Sequence, residues 1–148
     1  QKEIPVVVGG GICSKEEREH YLALGLSGVQ MATRCVATKE CDAAESFKNM
    51  YVNAKESDVT LVQSPVHMTG RALLNPFVER FRKGRIPVTN CFHCLKTCDP
   101  KTTPYCITQA LINAVEGDVD HGLVFCGANA WKVQKIISVH DLIKELTE

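Results

Sequence analysis

The sequence predicts an α/β protein built on a parallel strand pair, and three observations near its start predict it. Ile4-Pro5-Val6-Val7-Val8 is a continuous apolar run rich in β-branched residues, the pattern of a strand covered on both faces in a parallel sheet. It runs into Gly9-Gly10-Gly11-Ile12, and Ser14-Lys15-Glu16-Glu17 then reads as a capping box, opening a helix that stops at Gly25. A second strand follows at once in Gly28-Val29-Gln30-Met31-Ala32. One strand, a glycine turn, a capped helix and a second strand form a crossover unit, and the right-handed crossover rule makes its strands parallel neighbours or near neighbours.

The remaining elements follow in order. The first helix is expected to carry Tyr21, Leu22 and Leu24 inward. Asp42 to Ala54 reads as a helix capped by Asp42, with Glu45 at its third position, and Val59 to Gln63 as a short strand. Gly70-Arg71 reads as a loop. Asn75-Pro76 is a cap followed by proline at the first helical position, and that helix ends near Gly84. Residues 85–105 are rich in cysteine and proline and read as irregular. Pro104 to Glu116 is helical up to Gly117, Leu123-Val124-Phe125 is a short apolar run ending at Gly127, and Ser138 caps a last helix. There Asp141 is third, and Leu142, Ile143 and Leu146 share one face. There are no internal repeats.

Composition limits the function classes. Over 148 residues, 17 Lys+Arg balance 17 Asp+Glu, which argues against nucleic acid, since a phosphate backbone is held by cationic excess. No apolar run reaches the roughly 18–20 residues that a membrane span needs. With 45 % hydrophobic and 6 % aromatic residues the chain is globular rather than disordered. It opens without Met and almost directly on a strand, the look of a piece of something longer. Eight cysteines would suit a small disulfide-bonded secreted domain, but the strand–helix alternation points to a cytoplasmic protein with reduced thiols, unless a metal holds them.

A strand ending in three glycines and feeding a capped helix suits a phosphate, because glycine lets the backbone approach and free N–H groups face the anion. Ala32-Thr33-Arg34, ending the second strand, adds N–H donors and a hydroxyl at the same edge. The plainer alternative is that the glycines only make a tight turn.

These residues also carry a resemblance. Ile4 to Ile12, then Ala23-Leu24-Gly25-Leu26-Ser27-Gly28-Val29-Gln30-Met31-Ala32-Thr33-Arg34, resembles the nitronate monooxygenase family, formerly 2-nitropropane dioxygenase, which includes the flavin-dependent enoyl-ACP reductases. Its typical form is a hydrophobic strand into Gly-Gly-Ile, then Ala-Leu-Gly-Ala-x-Gly-Val-Gln-Met-Gly-Thr-Arg-Phe. Ala37-Thr38-Lys39-Glu40-Cys41, Gly70-Arg71-Ala72-Leu73-Leu74-Asn75, Phe77-Val78 and Ser138 to Leu146 continue the match. The resemblance implies the C-terminal portion of an FMN-binding (β/α)8 barrel. Residues 1–40 would be the last two βα units with the FMN-phosphate site, 41–90 a helical extension with a short strand, and 91–148 a cysteine-rich loop with C-terminal helices, not an independent domain. Carried across residue by residue, Gly10 and Gly11 hold the FMN phosphate from one turn, and Ala32 and Thr33 from the next. Ala32 replaces the usual glycine, and its N–H serves only if its φ is negative.

The resemblance further implies a small-molecule substrate, a nitronate or an enoyl thioester, with NAD(P)H as a further reductant. The catalytic His is expected upstream, because His20, His67, His93, His121 and His140 do not match its motif and read as surface or locally bonded residues. The piece alone is expected to be inactive, and to associate with the rest of its barrel or with itself. An IMP dehydrogenase-like or dihydroorotate dehydrogenase-like barrel shares the glycine-turn logic but not the later blocks.

Cys91-x2-Cys94-x3-Cys98-x7-Cys106 is a four-thiol set suited to zinc or iron–sulfur. It resembles the pattern of 2,4-dienoyl-CoA reductase relatives, which hold a [4Fe–4S] cluster beside FMN, although the last gap is shorter. Plain reduced thiols are the alternative, as is a metal-binding module in which the glycines are only structural. Cys13 and Cys35 read as small core residues. Asn129, after Gly127-Ala128, reads as a helix cap or a contact to flavin or substrate, Arg71 as a surface ion-pair partner or phosphate contact, and Trp131 as packed.

Overall fold

The computed structural model describes residues 4–148, so the first three residues of the predicted 1–40 segment lie outside it. Strand β1 (Val7–Gly9) pairs in parallel with β2 (Gly28–Gln30), with helix α1 (Lys15–Ala23) crossing between them. The capping box forms as the sequence predicts: Ser14 Oγ accepts from the Glu17 N–H, and the Glu17 carboxylate accepts from Ser14 N–H. Both strands are shorter than the apolar runs that encode them.

The expectation of burial on both faces is corrected. Ile4 is 82 % exposed, Val7 59 % and Leu24 66 %, and α1 buries none of its residues. The described residues contain nothing that covers this face.

Helix α2 (Thr33–Val36) turns the chain away from β2, and α3 (Glu45–Val52) follows. The expected start at Asp42 is corrected, since α3 begins after Ala44 and has no side-chain cap. Tertiary bonds set that start: Ala44 N–H donates to Val115 O and Ser46 Oγ to Gly117 O. Strand β3 (Val59–Gln63) has the predicted bounds and pairs antiparallel with β4 (Thr69–Leu73). The loop expected at Gly70-Arg71 is therefore a strand. A Cβ at position 70 would stand 2.5 Å from a ring carbon of Phe125, so the glycine makes room for a ring instead of bending the chain.

Helix α4 (Pro76–Lys83) starts at the predicted Asn75 cap, whose Oδ1 accepts from Val78 N–H at 2.9 Å. Helix α5 (Ile107–Glu116) ends at Gly117 with φ +102°, and α6 (Val139–Thr147) is capped by Ser138. Of the α6 apolar face only Leu142 is buried, and Ile143 is 56 % exposed.

The 123–126 run lies beside β4, with Leu73 N–H donating to Val124 O and Cys126 N–H to Arg71 O, both at 2.9 Å. Successive residues of an extended chain face opposite ways. Leu73 and Val124 thus enter a core with Phe47, Tyr51 and Val133, while Ala72 and Leu123 enter another with Val62, Phe77 and Tyr105. Among the described residues no helix is long and apolar enough to cross a membrane.

Candidate functional site

The parallel register aligns Gly9 with Gln30, so the two strands finish level and their following turns leave the sheet side by side. Gly10, Gly11, Ala32 and Thr33 all reach the wall of one cavity of about 340 Å3 beyond those ends. Gly10 and Gly11 have φ of +103° and +74°, a backbone that an L side chain adopts only with strain. A Cβ on Gly10 would meet nothing within 4 Å, so conformation rather than crowding demands glycine there. Ala32 sits at φ −119°, which meets the condition on its N–H. It caps α2, whose first N–H groups have no intrahelical acceptor.

No charged side chain lines this cavity. Its polarity comes from main-chain amides, the Thr33 hydroxyl and the Gln30 side-chain amide. Thr33 Oγ1 accepts from Gly127 N–H at 2.8 Å, which leaves the hydroxyl proton free to donate.

A second layer of bonds holds the glycine turn. Asn129 Nδ2 donates to Gly11 O and, at 3.2 Å, to Glu17 Oε1. Glu17 Oε2 accepts from Cys13 N–H at 2.6 Å, and Lys132 Nζ pairs with Glu17 Oε1 at 2.6 Å. Burial works to raise the Glu17 pKa, but the Lys132 hydrogen bond and the Cys13 and Ser14 amides hold it below the usual carboxylate range. A trans peptide points its C=O and its next N–H in opposite directions. Tying Gly11 O to Asn129 therefore turns the Ile12 N–H the other way.

The cavity wall also includes Cys13, Tyr51, Cys126 and Gly127. Burial, then the nearby Glu17 charge, raises the Cys13 pKa, and its Sγ donates to Asn129 O at 3.5 Å. Burial pushes Cys126 up to about 11. Both are neutral thiols at pH 7. Tyr51 Oη donates to Phe125 O at 2.7 Å, and burial drives its phenol pKa up.

Sequence reasoning missed Glu17 as more than a cap, although the capping box was visible. It also missed Tyr51, which reads as an ordinary core aromatic on a helix. Asn129 neither caps a helix with its side chain nor lines the cavity; it braces the turn. All five histidines are exposed and none lines the cavity. Arg71 faces solvent on β4, and Trp131 is half-buried with Lys132 Nζ 5.7 Å from its ring centroid.

Cys91, Cys94, Cys98 and Cys106 line a different, smaller cavity of about 120 Å3 and are free thiols. Their sulfurs do not converge: among the described residues no three His, Cys, Asp or Glu side chains are placed to hold a metal ion. A larger cavity of about 630 Å3, between α4 and α5, contains none of the predicted phosphate residues. It is lined by Arg80, Lys83 and Arg85 and does not lie at the ends of the parallel strands.

The sequence profile of the family described as nitronate monooxygenase matches residues 1–148. A probable nitronate monooxygenase of Staphylococcus aureus is 30 % identical over 86 residues, covering 57 % of this chain and 24 % of its own. FabK from Thermotoga maritima superposes with TM-score 0.77 and 26 % identity, over 98 % of this chain and 43 % of its own. A nitroalkane oxidase from Streptomyces ansochromogenes gives TM-score 0.69 at 20 % identity, over 98 % of this chain and 39 % of its own, a likeness of fold alone. The chain thus spans about a quarter of the curated relatives it matches.

Proposed function

The chain belongs to the nitronate monooxygenase family of flavin-dependent TIM-barrel oxidoreductases, and from that premise we propose that it supplies the corner of the barrel that grips the FMN phosphate. Residues 1–40 are the last two βα units, and residues 41–148 are the appendage that braces them. The meeting of Gly10, Gly11, Ala32 and Thr33 at one uncharged cavity carries the reading.

The residues fit such a group. Main-chain N–H groups of the glycine turn and of the α2 start receive the anion, and Thr33 adds a hydroxyl donor. Asn129, Glu17 and Lys132 hold the turn in its binding shape before the ligand arrives. Neutral Cys13 and Cys126 keep that wall free of negative charge. The flavin, when bound, supplies the redox chemistry, and the protein supplies position and electrostatics.

The substrate of the complete protein follows the family: a nitronate with oxygen as electron acceptor, or an enoyl thioester reduced at the expense of NAD(P)H. The second reading is kept because the FabK structure covers 98 % of the chain. Anaerobic mixing of the full-length flavoprotein with an alkyl nitronate or with NAD(P)H separates them, by which donor bleaches the flavin.

Comparing FMN with riboflavin, which lacks the phosphate, tests the grip itself. The full-length apoprotein should prefer FMN strongly, and Thr33→Val should cut FMN affinity by roughly tenfold while leaving riboflavin binding nearly unchanged. Equal affinity of the wild type for the two flavins would defeat the reading.

A further inference from the structure

Between α4 and α5 the chain runs from Gly84 to Cys106 without helix or strand. That exceeds the roughly 12–15 residues beyond which an unstructured loop inside a compact domain is uncommon. From 84 to 104 only Thr103 is buried, so the segment has almost no core of its own. Its base is pinned nonetheless. Ile86 N–H donates to Pro104 O at 2.8 Å, and Arg85 Nε donates to Thr103 O at 3.0 Å. Above the pins the segment is held by local hydrogen bonds, such as those from the Thr102 and Thr103 N–H groups to Asp99 O, rather than by apolar packing.

All four cysteines of this region, Cys91, Cys94, Cys98 and Cys106, line the same cavity of about 120 Å3, beside Val88, Leu95 and Ile107. The cavity has no Asp, Glu, Lys or Arg in its lining. Four soft donors within 16 residues, all lining one small and largely apolar space that His93 also lines, are a donor set suited to a thiophilic metal.

We propose that Cys91, Cys94, Cys98 and Cys106 form a tetrathiolate metal site that orders the 84–106 loop. The four residues line the cavity but their sulfurs do not converge, so metal entry draws the loop inward, and binding is coupled to ordering. Each thiol gives up its proton to solvent as its sulfur becomes a ligand. Thr108 Oγ1, 2.9 Å from Cys94 Sγ, is placed to hydrogen-bond the resulting thiolate. Zinc and an iron–sulfur cluster share this ligand chemistry and differ in composition. The site does not depend on the flavin reading, since none of its residues touches the phosphate cavity.

The test is metal and acid-labile sulfide analysis of the full-length protein purified anaerobically, with its flavin content measured in parallel. One site-equivalent of zinc, or iron with matching sulfide, is expected per chain. Cys94→Ser and Cys98→Ser should each lower it about tenfold or more, whereas Cys35→Ser, at an exposed thiol away from the cavity, should not. If the variants fail to fold, the wild type still decides. Chelation should raise hydrogen exchange across 84–106 and open the four thiols to alkylation, while bound flavin is retained. A wild-type protein without metal, whose loop exchange is unchanged by added zinc or by iron with sulfide, overturns the proposal.

Discussion

Glu17 shows how one side chain comes to serve two structures. As the third residue of α1 it completes the capping box, and the same carboxylate receives Cys13 N–H, Asn129 and Lys132. Glu17→Ala removes all four partnerships and is expected to cost about 1–2 kcal/mol of stability in the full-length protein, read as a lower denaturant midpoint. The pH dependence has a fixed sign. The folded pKa of Glu17 lies below its unfolded value of about 4.3, so its contribution is complete above that value and is lost as pH falls through the folded one. Glu16, Asp141 and Glu145 are also depressed and act in the same direction. The difference between wild type and Glu17→Ala isolates the one residue, and should shrink between pH 7 and the acid limb. A gap that stays constant would show that the Glu17 charge contributes nothing.

Among the elements, those signalled by local chemistry were legible in sequence. The Ser14, Asn75 and Ser138 caps, the Gly117 stop and the β3 bounds were all readable, because each depends on residues within one turn of itself. Elements set by distant partners were not. The α3 start is fixed by Val115 and Gly117, some seventy residues on, and the glycine inside β4 makes room for the distant Phe125 ring. The same division runs through the candidate site. Its glycines and its strand ends were visible, but the braces from Gly127 and Asn129 were not, since nothing in a short Gly-Ala-Asn segment says which turn it will meet. Gly70→Val tests the β4 explanation. The added branched side chain collides with the Phe125 ring, and a loss of about 2–3 kcal/mol in thermal or denaturant unfolding is expected. Full tolerance would mean that the ring moves aside freely.

On the scale of the whole molecule, the two cores lie on opposite sides of the β4 and 123–126 segments, while the β1–β2 pair stands outside both. Its apolar residues at 4, 6, 7 and 24 are more than half exposed, more apolar surface than an isolated two-strand unit leaves without consequence. Residues 1–148 expressed alone are therefore expected to self-associate and to bind a hydrophobic dye. Light scattering on the eluting species checks this, and a dye-silent monomer would contradict it.

The bonds at Gly127 and Asn129 also set an order of events. They reach back 94 and 118 positions to Thr33 and Gly11. A growing polypeptide cannot close this pocket until the ribosome has released residue 129. On the proposed reading, flavin loading is thus a late step in biogenesis, and a transcript cut short before that codon should yield an apoprotein however completely its earlier strands have folded.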